Sequence, residues 1–164
     1  MRFHITSLVA TAALLPLAKA DFYIYAVGIF GNVDPESPTA NILNGYGFFN
    51  GPPSCDDVIN HYIWQISSED LSGGRSGVRC EGCSLGYGGD VEPTELEWNN
   101  EMGHFTWYLN RNGDFVDTDD VVKGNCVVDG SDSFDCVIPP GITPDKGISQ
   151  LFCTSDLNAD AVNN

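Results

Sequence analysis

Apolar and polar positions alternate along much of this chain with a period of two. In DFYIYAV (21–27), Phe22, Ile24 and Ala26 fall on one face and Tyr23, Tyr25 and Val27 on the other. That is the side-chain period of a β-strand. HYIWQIS (61–67), TELEW (94–98) and GHFTWYL (103–109) repeat it. Shorter apolar runs follow at 114–117, 121–129, 134–140 and 149–153. Turn signals separate them; Asn110-Arg111-Asn112-Gly113 returns the chain into DFVD. Eight or nine short strands at this spacing predict an all-β fold, a compact antiparallel β-sandwich or barrel with long loops. NILNGYGFFNGPPS (41–54), rich in Gly, Asn and Pro, reads as a long surface loop. Ser54-Cys55-Asp56-Asp57 is suited to cap one short helical turn.

The N-terminus breaks the pattern. Arg2 and His4 precede an apolar stretch, Ile5 to Leu17, too short to span a bilayer. Ala18-Lys19-Ala20 fits the small-x-small cleavage rule. This predicts a signal peptide over 1–20, a secreted chain starting at Asp21, one β-rich domain over 21–154 and a frayed acidic tail over 155–164. No later run of about 18 apolar residues suggests a membrane span.

Export changes the meaning of RCEGC (79–83). In a reducing compartment C-x-x-C suggests a redox dithiol or half a zinc site. Behind a signal peptide, the even set Cys55, Cys80, Cys83, Cys126, Cys136 and Cys153 reads as disulfides. Cys126 and Cys136 flank a turn-like segment. A symmetric hairpin centred near Gly130–Ser131 sets them opposite, which predicts Cys126–Cys136. The other four cysteines leave three pairings open.

The net charge is −16 at pH 7. Loss of Arg2 and Lys19 leaves five basic residues against 23 acidic ones, a net −18. A field of that sign repels phosphates and anionic lipid, so nucleic acid and membrane are not expected partners. Solubility is one use of such charge. Work in an acidic medium, where carboxylates are partly protonated, is another.

Several residue sets are candidates for chemistry. His61 and His104 each stand three residues before a tryptophan. In a strand they face away from it, and in paired strands they become neighbours. With Glu97 and Arg111 they supply the residue types of a small extracellular ribonuclease-like hydrolase, the alternative reading. Asn110 to Asp120 offers six carboxylate or amide side chains for a non-EF calcium loop. No G-x-S-x-G, H-E-x-x-H, P-loop or N-glycosylation sequon occurs, and no motif asks for a cofactor or a resident metal. Tyr46, Phe48 and Phe49 in the 41–54 loop, and Tyr87 in SLGYGGD, are the aromatics expected to contact a ligand.

The signal followed by an aromatic strand (Asp21 to Val27), PTELEWNNEMGHFTWYLNRNGDFVD (93–117), GNCVVDGSDSFDC (124–136) and LFC (151–153) together resemble the small secreted cysteine-containing proteins of filamentous fungi, an effector-like group. The resemblance implies secretion and a β-rich architecture and assigns no catalytic residue. The expectation is a monomeric, non-enzymatic, disulfide-stabilised binding protein acting on a host or competitor protein or glycan.

Overall fold

The computed structural model describes residues 20–30, 42–84, 90–138 and 143–163. The predicted signal segment before Ala20, and Tyr87, lie outside them. The described residues build ten strands: β1 (Ala20–Phe30), β2 (Ile42–Phe49), β3 (Trp64–Gln65), β4 (Gly77–Glu81), β5 (Glu95–Asn100), β6 (Gly103–Tyr108), β7 (Asp114–Asp117), β8 (Val122–Val128), β9 (Ser133–Ile138) and β10 (Thr143–Ser155). One helix, α1 (Cys55–Asn60), lies between β2 and β3.

The fold is an antiparallel, nearly closed barrel. Nine strands follow the order β3-β2-β1-β10-β8-β7-β6-β5-β4, and off this path β9 pairs with β10. The two ends meet through a parallel bridge between Ile66 and Val78, where the Ser67 amide donates to the Val78 carbonyl at 2.8 Å. Closure removes most exposed sheet edge.

The alternation read in β1 holds, and both of its faces are buried. Phe22, Ile24 and Ala26 enter the barrel. There Trp98 packs against Phe22, Phe48, Phe105 and Phe115 with ring centroids 5.2–6.3 Å apart. Trp107 is also fully buried, its indole N–H donating to the Cys126 carbonyl at 3.1 Å. On the outside, Tyr25, Val27 and Phe49 form a second apolar layer, covered by Val58 of α1 and Cys136 of β9.

Three expectations are corrected. Residues 42–49 are a strand, not a loop, and Tyr46, Phe48 and Phe49 are buried. Tyr46 and Phe48 point into the barrel. Gly45 and Gly47 point the other way, where a Cβ on Gly45 would strike Ile63 and the Trp64 carbonyl, and one on Gly47 would crowd Phe49 and His61. The glycines that suggested a loop are there to admit a close neighbour.

The Cys126–Cys136 hairpin does not form. β10 is long enough for two strands to lie end to end along one edge. β9 pairs with Thr143–Ile148 and β8 with Leu151–Ser155. Cys126 therefore faces Cys153 and bonds to it, while Cys136 bonds to Cys55 and Cys80 to Cys83.

The tail is docked rather than frayed. Ala159–Val162 forms a 3-10 turn with Ala159 and Val162 buried in the barrel core. The Asn163 amide donates to the Phe48 carbonyl at 2.7 Å.

Candidate functional site

Ser54 begins the site. Its hydroxyl accepts from the Asp57 amide, and the Asp57 carboxylate accepts from the Ser54 amide and hydroxyl. This capping box fixes the start of α1. These hydrogen bonds, the Ser54 hydroxyl first, hold the Asp57 carboxyl below its ordinary value. The Cys55–Cys136 disulfide and buried Val58 then fasten the helix over the second layer.

Between α1, the turn after β2 and the docked tail lies an open cleft of about 370 Å³. The helix and its cap contribute Asp56, Asp57, Asn60 and His61. The turn contributes Asn50, Gly51, Pro52 and Pro53; the tail contributes Asp160 and Asn163. Asn50 joins turn to tail, donating to Asp160 at 2.7 Å and accepting from the Ala159 amide at 2.8 Å. The described lining carries three carboxylates, three amides and neither lysine nor arginine.

His61 sits at the inner side of this cleft, its ring 5.3 Å from Phe49. Nδ1 donates to the Val58 carbonyl, which leaves Nε2 as the unprotonated nitrogen, buried and without a partner among the described residues. Burial lowers the His61 pKa, and the Val58 hydrogen bond only partly opposes it. The imidazole is therefore neutral at neutral pH.

Beside the cleft stands Tyr62, whose amide donates to Asn163 at 3.3 Å. It is 57% exposed, and it is the one large aromatic among the exposed apolar residues described. The alternation in HYIWQIS puts Tyr62 on the same face as Trp64. The strand begins only at Trp64, so the parity fails before it; Trp64 is buried and Tyr62 lies 4.8 Å from it on the surface.

The hydrolase set does not assemble. His61 belongs to the cleft. Arg111 pairs with Asp120 and lies 4.6 Å above the Tyr108 ring. Only Glu97 and His104 meet, with Nε2 of His104 2.7 Å from the carboxylate. The two histidine-bearing segments never pair: β3 joins β2, and β6 joins β5 and β7. Glu97 also accepts from Arg79 Nε at 3.0 Å and from the Leu71 amide at 3.2 Å. Arg79 went unread in the sequence; it further pairs with Glu95 and Glu81. Glu97 is only 3% exposed, and these bonds anchor the 67–76 segment over the barrel wall.

Three of the six side chains proposed for calcium, Asp114, Asp117 and Asp120, are engaged locally. Asp117 accepts from the Asp119 and Val121 amides and pairs with Lys123 at 2.8 Å. Asp114 accepts from Asn125 at 3.1 Å. Tyr46 and Phe48 are taken into the barrel, whereas Phe49, buried in the second layer, also lines the cleft. Of the cleft residues, the sequence singled out His61 and Phe49 as candidates and Asp56 and Asp57 only as part of a helix cap; Asn50 and Asn60 were missed. Asp160 and Asn163 join it only because the tail folds back.

No protein-family model, curated protein or solved structure matches the chain.

Proposed function

We propose that this is a secreted, effector-like binding protein whose cleft between α1 and the tail takes a neutral glycan. The observation that carries the reading is a concave surface of carboxylates and side-chain amides, to which the exposed Tyr62 is tied through the bond from its backbone amide to Asn163. Planar Asp and Asn groups accept from and donate to adjacent hydroxyls. An exposed ring stacks on the C–H face of a sugar. The cleft volume lies in the range of small-ligand sites. Absence of a cation from the described lining disfavours anionic sugars and phosphates. The three disulfides fit an oxidising compartment. One of them, Cys55–Cys136, also holds α1 in place before any ligand arrives, which lowers the ordering cost of binding.

The test is titration with neutral oligosaccharides, followed by amide chemical shifts. Shifts should cluster at Asn50, Asp56, Asn60 and Asn163. Tyr62→Ala and Asp56→Ala should each weaken binding about 10-fold, roughly 1.4 kcal/mol, and leave the melting temperature unchanged. Selective binding of basic peptides at the same residues would replace the glycan by a protein partner. No response at the cleft to either would remove the site.

A further inference from the structure

Asp145 is the group the fold leaves least satisfied. It lies in β10, opposite Cys136 of β9 and Ile29 of β1. Its side chain is 0% exposed, and neither carboxyl oxygen has a hydrogen-bond partner among the described residues. Counting in twos along β10, it shares a face with Gly147, whose partner on β1 is Val27. That face belongs to the apolar layer of Val27, Tyr25, Val58 and the Cys55–Cys136 bridge. Glu97, the other deeply buried acid, is by contrast surrounded by donors.

Charged and titratable groups on the neighbouring elements are engaged elsewhere. Lys146 pairs with Asp135 of β9 at 2.6 Å. The Tyr25 hydroxyl of β1 donates to Asp132 at 2.6 Å. On α1, Asp57 is held by Ser54 and Asp56 is exposed, while His61 beyond the helix bonds Val58. A protonated carboxyl is a neutral polar group here. An ionised one is a buried charge with nothing to balance it.

We propose that Asp145 adapts this fold to an acidic medium: the layer of α1 and β9 packs firmly while the carboxyl is protonated and loosens when it ionises. Burial pushes its pKa from 3.8 to about 7. Below 3.8 folded and unfolded chains both hold the proton, and nothing is lost. Between 3.8 and about 7 the unfolded chain releases it and the folded chain keeps it, so stability falls as pH rises. Above that window both states are ionised and the loss is complete. The Cys55–Cys136 bridge, which joins helix to strand in this layer, keeps α1 and β9 attached throughout.

Urea unfolding of the disulfide-intact protein between pH 4.5 and 8 tests this in wild type and Asp145→Asn. The wild-type unfolding constant should rise by up to about 200-fold between pH 4.5 and 8. Asp145→Asn should abolish most of that rise and be the more stable protein at pH 8. Parallel pH profiles for the two proteins would overturn the proposal. Should the variant fail to fold, the carbon-13 carboxyl resonance of Asp145 in wild type decides. A midpoint about two or more units above an ordinary aspartate supports the switch, and an ordinary midpoint refutes it.

Discussion

Glu97 and Asp145 are both buried acids, and their surroundings give them opposite effects. Glu97 gathers Arg79, His104 and the Leu71 amide. Removing it takes one of three carboxylate partners from Arg79 and leaves the buried Leu71 amide without its acceptor at the base of the 67–76 segment. Glu97→Ala is expected to cost about 2–3 kcal/mol, measured by urea denaturation at pH 7. Amide exchange near Leu71 should rise with it. Glu97→Gln, which keeps one acceptor, should lose less. If Glu97→Ala were as stable as wild type, the cluster would be a surface ornament and the catalytic reading of Glu97 and His104 would reopen. Glu97 and His104 were visible as candidates in the sequence because of their chemical types. Their partner was not: Arg79 reaches Glu97 through the β4–β5 register, which no local pattern reveals.

At the scale of elements, period-two patterning located most strands because a barrel wall needs one apolar face. It failed where backbone proximity, not burial, chose the residue. Gly45 and Gly47 look like loop residues but make room for Ile63 and His61. It failed again in β10, where Pro144, Asp145, Lys146 and Gly147 hide the first half of a 13-residue strand. With that half unseen, a hairpin between β8 and β9 was the natural reading, and the cysteine pairing followed it into error. The observed pairings make a ranked prediction. Cys55–Cys136, Cys126–Cys153 and Cys80–Cys83 span 81, 27 and 3 residues. Chain entropy then assigns them about 4.5, 3.5 and 1.5 kcal/mol. Paired Cys→Ala variants should lose stability in that order. A peptide map of the unreduced protein should join Cys126 to Cys153. A fragment joining Cys126 to Cys136 would restore the hairpin and undo the end-to-end arrangement on β10.

For the whole molecule, acid stability has two sources that must be told apart. The chain carries 23 acidic residues against seven basic ones, and their mutual repulsion weakens as carboxylates protonate. Asp145 adds a second effect from burial alone. Other groups set a lower limit. Asp57 and Asp117 are held below their ordinary values by Ser54 and Lys123, so their contribution is lost as pH falls through their folded pKa values. His61, kept neutral by burial, also costs stability as the pH falls below its ordinary 6.5. The optimum therefore lies in the weakly acidic range. Salt separates the two sources, because surface repulsion is screened over about 8–10 Å while a buried, unpaired carboxylate is screened far less. Raising sodium chloride from 20 to about 300 mM at pH 8 should increase the melting temperature of wild type and Asp145→Asn by equal amounts. The gap between the two proteins should persist at high salt. If salt instead closes that gap, the penalty at Asp145 is long-range repulsion, and the acidic surface alone adapts the protein to acid.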